Sequence, residues 1–173
     1  MARGLATAVP LKIVYHPAYS APMLSQGHRF PMQVFRTIHD CLIQDGLVHP
    51  SQIVTPPAVA TEEQLQRVHT PSYLSAFLSG SLDATRMRKI GFGDVTRQPG
   101  LIERTLAECA GTLLTAELAL EHGIACNTAG GTHHAHRDFG SGFCILNDLA
   151  MTAKELLEMG KAKRVMIVDL DVQ

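Results

Sequence analysis

The 173-residue sequence has no tryptophan, few aromatic residues and no excess of charge of either sign. Its 15 basic and 16 acidic residues give a formal net charge of −1, so charge alone gives no basis for direct nucleic-acid binding. It also lacks both an apolar run near the ~18 residues of a membrane span and the apolar core of a signal peptide. We therefore expect an intracellular protein, cytoplasmic or nuclear, with no membrane association.

Only four cysteines are present, and no two of them form a C-x-x-C pair. This spacing argues against a cysteine-rich structural zinc site. Their apolar neighbours predict reduced, mostly buried thiols. Cys144 is a weak candidate nucleophile, because apolar neighbours raise the pKa of a thiol. The other three are Cys41, Cys109 and Cys126.

Hydrophobic residues make up 46% of the chain, enough for a globular core. Their pattern alternates between strands and amphipathic helices, which predicts an α/β fold with a parallel sheet. In such sheets ligands bind beyond the carboxyl ends of the strands. Residues 80–99 are predicted to form a long loop, and the helix faces at 34–43, 102–118 and 149–157 are predicted to be core. Strands are predicted at 11–15, 53–54, 124–127 and 165–168, and helices from 31 and 61 and at 71–78, 101–121 and 148–159.

Two adjacent histidines, His133 and His134, follow a pair of glycines directly after the predicted strand at 124–127. Glycines accept positive φ, so a tight turn can direct both imidazoles into one cleft, whereas neighbours on a strand face opposite sides. Imidazoles there suit metal binding or proton transfer, and spacing alone does not separate the two roles. A lone histidine is more often structural; the pair favours function. His136 is expected to point away.

Two aspartates, Asp169 and Asp171, stand at the end of the apolar run 165–168. Their i, i+2 spacing places them on one face of an extended chain. A turn or a helix cap is the structural alternative. Carboxylates at such a strand end commonly hold a divalent cation or orient a histidine, which favours function.

A third element, residues 141–148, contains a glycine before an aromatic residue. Gly142 permits a tight bend, and Phe143 is placed to wall a narrow apolar channel. The structural alternative is a loop closed by a core aromatic residue, and this tract favours function only together with the two motifs on either side.

Together these motifs resemble the histone deacetylase superfamily, specifically its class IV-like and bacterial members. The resemblance covers nearly the whole chain. The doubled histidine, the Gly-Phe-Cys tract and the Asp-Leu-Asp ending carry it by their order and spacing. The matching stretches are 15–17, 27–32, 68–74, 90–92, 129–135, 140–148 and 168–172.

The resemblance implies a three-layer arginase/deacetylase-type fold with a mostly parallel central sheet, a catalytic Zn²⁺ and acetyl-lysine substrates in histones or other proteins. It implies that His133 and His134 are the paired proton-transfer residues beside a metal-bound water, and that Asp169 orients His133. Gly142 and Phe143 would line the tube that admits the acyl-lysine. Zinc polarises the amide carbonyl and lowers the pKa of its water, while a histidine takes the proton.

The resemblance also implies that Asp171 is a zinc ligand, and here the chain departs from the family. The family pattern continues Asp-x-Asp-Val-His with a second ligand at the histidine, but Gln173 stands there. The family's third ligand and its oxyanion-stabilising tyrosine come later still. Because catalytic zinc takes three protein ligands plus water, we expect a truncated chain, lacking the carboxyl-terminal part of the fold and inactive alone.

Two alternatives stay open. In the first, the chain is a non-catalytic fragment that associates with a partner, or with itself through an exposed sheet edge. In the second, it is a related hydrolase of acetylpolyamines or other small amides. In each case residues 1–173 are expected to form one partial deacetylase domain, with residues 1–10 as a loose tail.

Overall fold

A computed structural model describes residues 11–171, so the predicted tail at 1–10 and the last two residues lie outside the described part. Short 3-10 turns at Pro17–Ser20, Pro50–Gln52 and Gly93–Arg97 connect the longer elements. In chain order these elements are β1 (Lys12–Val14), α1 (Val34–Gln44), β2 (Ile53–Val54), α2 (Glu62–Gln66), α3 (Pro71–Leu78), α4 (Ala84–Ile90), α5 (Pro99–His122), β3 (Ala125–Asn127) and α6 (Asp148–Glu158).

The described sheet has β1 at its centre, with β2 and β3 parallel to it on either side. Ile13 of β1 stands opposite Ile53 and Cys126. Ile13 and Val14 are buried, as expected of a central parallel strand covered on both faces. The predicted α/β fold with a parallel sheet is confirmed, and the three amino-terminal strands lie where the sequence predicts them.

The long helix α5 packs against β1, β3 and α6, and its predicted position is confirmed. Its predicted apolar face is only partly correct. Ile102 and Leu106 are half-buried, whereas Arg104 and Glu108 are almost fully buried. These two charged residues form an i, i+4 ion pair of 2.9 Å, which lets both enter the core.

The long loop predicted at 80–99 is wrong, because α4 and a 3-10 turn occupy most of it. The carboxylate of Asp83 caps α4 by accepting hydrogen bonds from the backbone N–H groups of Thr85 and Arg86, both at 2.9 Å. Met87 and Ile90 bury the inner face of α4. The glycines that suggested a loop instead mark the ends of short helices.

Two predicted core faces are less buried than expected. On α1, Val34 and Ile38 are 36% and 40% exposed, and no residue of that helix is fully buried. On α6, Leu157 is 41% exposed, while Met151 and Leu156 are buried. Helical periodicity identifies an apolar side, but how far that side is covered depends on the neighbouring elements.

The strand predicted at 165–168 is wrong, since this stretch forms no strand in the described structure. Val165 is 40% exposed and Met166 is 83% exposed. A strand needs a backbone partner as well as apolar side chains. Here a groove of about 600 Å³ separates this stretch from β3, α5 and α6.

The four thiols are free, as predicted, but only Cys109 and Cys144 are buried; Cys41 and Cys126 are exposed. Burial was therefore overestimated for half of them. Within residues 11–171, no helix has the length and apolar character needed to cross a membrane.

Candidate functional site

The candidate site begins where β3 ends and the backbone turns through two glycines. Gly130 and Gly131 have φ angles of 101° and 76°, a region that favours glycine. The turn carries His133 and His134 away from the sheet at the carboxyl end of β3, as predicted. We call residues 130–134 the histidine turn.

Two buried carboxylates hold the backbone of the histidine turn. The N–H of Gly130 donates to Glu108 Oε1 at 3.2 Å. The N–H groups of Gly131 and Thr132 donate to the two oxygens of Asp148, at 2.9 and 2.8 Å. Three consecutive backbone donors are thus satisfied by side chains from α5 and α6.

His133 lies between the two predicted carboxylates. Its Nδ1 is 3.4 Å from Asp169 Oδ2, and its Nε2 is 3.9 Å from Asp171 Oδ2. The His133 side chain is 22% exposed, whereas those of Asp169 and Asp171 are 42% and 68% exposed. The two carboxylates belong to an extended, solvent-facing stretch, residues 165–171, which we call the acidic segment.

His134 connects the histidine turn to the Gly-Phe tract. The rings of His133 and His134 are 4.1 Å apart at an angle of 68°. The Cα of Gly142 lies against the His134 ring, so a Cβ there would come within 3.0 Å of it. Ser141 Oγ donates to the His134 carbonyl at 2.7 Å, which keeps Gly142 close to the His134 ring.

Phe143 lies beside His134 in a strained backbone conformation with φ of 65°, a region most non-glycine residues avoid. Its N–H donates to Ile90 O at 2.7 Å. Its ring contacts Phe30 and Phe92, with ring centres 5.2 and 5.3 Å away. Gly91 leaves space for the ring, since a Cβ there would lie 2.8 Å from it. The result is an aromatic wall beside the two histidines.

The structure thus brings all six predicted residues into one region: His133, His134, Gly142, Phe143, Asp169 and Asp171. Their chemical roles stay predictions. His136 lies apart and stacks on Phe139 with ring centres 4.3 Å apart, as the sequence predicts. The histidines His16, His28 and His69 have structural contacts instead, accepting backbone N–H groups.

A zinc ion requires more donors than the described residues bring together. Asp171 offers carboxylate oxygens, and His133 Nε2 lies 3.9 Å from one of them. No group of three or more histidine, cysteine, aspartate or glutamate side chains within residues 11–171 is arranged to hold a metal. Because catalytic zinc takes three protein ligands, residues 11–171 do not complete such a site.

Burial governs the titration of the groups behind the site. It raises the pKa of Glu108, which the neighbouring Arg104 guanidinium partly opposes. Burial also raises the pKa of Cys144 to about 11. The Cys144 thiol therefore stays protonated near neutral pH, in agreement with its prediction as a poor nucleophile.

Sequence reasoning missed the supporting shell of the site, which consists of Arg104, Glu108, Asp148 and two threonines, Thr112 and Thr132. The sequence shows Asp148 only as an acidic residue at the start of a helix, where such residues are common. No sequence signal places Arg104 and Glu108 in the core. An i, i+4 charge pair within an otherwise apolar helix is the one available hint.

Comparisons with known proteins identify the family. The family model for the histone deacetylase domain matches residues 28–173. The chain is 48% identical over 160 residues to an uncharacterized protein of Picosynechococcus, covering 92% of this chain and 52% of that protein. It is 33% identical over 165 residues to the acetoin utilization protein AcuC of Bacillus subtilis, covering 91% and 42%. The chain therefore belongs to the histone deacetylase family.

Solved structures agree on the fold. The crystal structure of an HDAC homologue complexed with SAHA matches with a TM-score of 0.65 and 21% identity, over 88% of this chain and 42% of that one. An HDAC homologue from Aquifex aeolicus gives the same TM-score at 20% identity and the same coverage. The arginase/deacetylase-type fold is confirmed. The chain spans about half the length, or less, of the relatives it matches.

Proposed function

We propose that this chain carries the histidine side of a zinc-dependent deacetylase site that hydrolyses the acetyl-lysine amide in histones or other proteins. Membership of the family supports a deacetylase-type hydrolase. The finer assignment rests on one observation: His133 lies 3.4 Å from Asp169 and next to the ring of His134. A carboxylate beside one imidazole nitrogen orients the ring, which suits proton transfer at the other nitrogen.

In this proposal each site residue has one task. His133 and His134 exchange protons with the attacking water and the leaving amine, and Asp169 orients His133. Phe143 and Gly142 form a wall for the lysine side chain, because they place an apolar surface beside the histidines. Zinc, when bound through Asp171 and further ligands, would polarise the amide and acidify its water.

The test is a chimera in which this chain replaces the matching half of the Picosynechococcus relative, which it covers over 52% of that protein's length. We expect chelator-sensitive hydrolysis of an acetyl-lysine peptide. His134→Ala should lower kcat by about 10²–10⁴-fold, the usual contribution of a positioned acid or base. His136→Ala is the matched control, because His136 lies outside the site, and should leave kcat unchanged.

The chimera also separates the substrate alternatives. Preferred turnover of an acetylpolyamine over the peptide would favour the small-amide reading. No turnover of either substrate by a folded, zinc-loaded chimera would contradict the proposed deacetylase function.

We further propose that the 173-residue chain is inactive by itself. The support is the donor set, since residues 11–171 bring together too few groups to hold zinc. Zinc-dependent, chelator-sensitive hydrolysis by the purified 173-residue chain would contradict this proposal.

A second candidate role is self-association through the exposed sheet edge. Among the described residues the outer edge of β3 has no strand partner. The acidic segment nearby exposes Met166, Ile167 and Val168, at 83%, 51% and 64%. Unpaired edges and exposed apolar stretches favour association between chains. Light scattering should then show a mass that rises with concentration and falls with Ile167→Lys; a monomer at all concentrations would contradict this role.

A further inference from the structure

We propose that Asp148 is the positioning residue of the candidate site: its buried carboxylate fixes the histidine turn and thereby the directions of the His133 and His134 rings. The proposal deepens the function above and rests on it only for the chemistry that the rings perform. Asp148 acts on the backbone that precedes the two histidines, through its hydrogen bonds with Gly131 and Thr132.

The Asp148 carboxylate is completely buried, and four donors converge on it. Two are the backbone N–H groups of Gly131 and Thr132. The other two are hydroxyls, with Thr132 Oγ1 at 2.6 Å and Thr112 Oγ1 at 2.5 Å. Asp148 is also the first residue of α6, where the helix dipole favours negative charge. These hydrogen bonds engage both oxygens of the buried carboxylate.

The histidine turn fits closely around this carboxylate. A Cβ on Gly130 would lie 2.6 Å from both Asp148 Oδ2 and Thr112 Oγ1. The side chain of Thr132 links back as well, since its hydroxyl accepts the N–H of Asp148 at 3.1 Å. In this arrangement the backbone N–H groups of residues 130–132 are all satisfied, and the next residue is His133.

The preceding residue holds the other side of the histidine pair. Asn147 Nδ2 donates to the carbonyl of Ala135 at 2.9 Å, just after His134. Its backbone N–H donates to His69 Nε2 at 2.9 Å. Asn147 and Asp148, at the start of one helix, thus hold the chain by hydrogen bonds on both sides of the two histidines. Asp148 makes the larger contribution, because its side chain holds two backbone N–H groups, whereas that of Asn147 holds one backbone carbonyl.

The experiment uses the 173-residue chain and needs neither metal nor substrate. Asp148→Asn keeps the shape but leaves one acceptor oxygen, so either Gly131 or Thr132 loses its partner. We expect the ring NMR signals of His133 and His134 to shift, while those of the exposed His49 stay in place. Amide exchange at Gly131 and Thr132 should accelerate at least about tenfold more than at Ile13 of β1, because the loss of one such hydrogen bond has about that effect.

A global loss of stability is separated from positioning by Met151→Ala. Met151 lies on the same helix and is fully buried in the main hydrophobic core. The Met151→Ala variant should accelerate amide exchange throughout the core to a similar degree and leave the ring NMR signals of His133 and His134 unchanged. A purely structural role for Asp148 predicts the same uniform pattern for Asp148→Asn, which would overturn the proposal.

Thr112→Val keeps the proposal testable if Asp148→Asn does not fold. Thr112 lies half-buried on α5 and donates its hydroxyl to Asp148 Oδ2. Removing the hydroxyl should shift the ring signals in the same direction by a smaller amount, and Thr112→Ser should restore them. Unchanged signals in Thr112→Val would count against positioning. If the signals behave as expected but the chimera above hydrolyses nothing, the proposed function fails and the positioning role stands.

Discussion

The two halves of the candidate site differ in how they are held. The histidine turn is anchored by the buried carboxylates of Glu108 and Asp148, and its backbone donors are satisfied. The acidic segment is exposed, and its ion-pair contacts with His133 are longer, at 3.4 and 3.9 Å. Buried hydrogen bonds fix a group in place, whereas exposed ion pairs contribute little. Residues 11–171 therefore present one prepared half of a site and one loosely placed half.

Among the residues of the site and its supports, the largest effect should come from the ion pair behind the histidine turn. Arg104→Leu leaves the fully buried Glu108 carboxylate without its cation. We expect a loss of about 3–5 kcal/mol in the free energy of unfolding, measured by urea denaturation. Arg86→Ala, which removes an exposed pair with Asp83 at 3.7 Å, is the control and should change it by less than about 1 kcal/mol. Equal losses of unfolding free energy in the two variants would contradict a larger contribution from the buried pair.

A second prediction compares two neighbouring glycines in the histidine turn. Gly130→Ala adds both a positive-φ strain and a clash at 2.6 Å with Asp148, and should cost about 3 kcal/mol of unfolding free energy. Gly131→Ala has the positive φ but no atom within 4 Å of the new Cβ, so it should cost about 1–2 kcal/mol. Urea denaturation of both variants measures the difference. Indistinguishable losses would mean that the close approach to Asp148 is not maintained.

A third prediction concerns pH and His69, which supports the prepared half through Asn147. Burial lowers the pKa of His69 from its ordinary 6.5. Below this ordinary pKa, His69 binds a proton in the unfolded chain but stays neutral in the folded chain. The free energy of unfolding therefore rises with pH between the lowered pKa of the folded chain and the ordinary pKa. The contribution should be complete above pH 6.5 and fall away below it, at no more than about 1.4 kcal/mol per pH unit.

The check on His69 is a difference measurement. The unfolding free energy between pH 7.5 and 5 should fall more steeply for the natural chain than for His69→Gln, which has no proton to gain. Other titrating groups contribute to both chains and cancel. Parallel curves for the two chains would contradict a buried neutral imidazole.

The smallest effect is expected in the acidic segment. Ile167 is 51% exposed, so Ile167→Asp should change the free energy of unfolding by less than about 0.5 kcal/mol. Val14→Asp in the buried strand β1 is the matched comparison, and placing a charge there should cost more than about 4 kcal/mol. A large loss from Ile167→Asp would show that the acidic segment is buried after all, as its sequence suggested.

Local patterns predicted one half of the site well. Glycine pairs, adjacent histidines and strand-to-turn order are properties of neighbouring residues, so the histidine turn and the tract with Phe143 lie where the sequence placed them. The strand at 165–168 was predicted from apolar content alone. Strand formation also depends on pairing with another strand, which a local pattern does not specify, and residues 165–168 do not pair with the described sheet.

The supporting shell escaped prediction for a related reason. Asp148 and Glu108 act through atoms 16 to 22 residues away in sequence. Glu108 and Arg104 resemble an ordinary surface pair on a helix until packing against the turn makes them buried. Polar residues that support a site from within the core have no periodic signature of their own.

The most direct test of the difference between the anchored histidine turn and the loosely held acidic segment is amide hydrogen exchange on the 173-residue chain. We predict slow exchange at Gly130, Gly131 and Thr132, comparable with β1, because their N–H groups donate to buried carboxylates. Residues 165–168 should exchange rapidly, because they are exposed and form no ladder. Strand-like protection at 165–168, or rapid exchange throughout the histidine turn, would contradict this account.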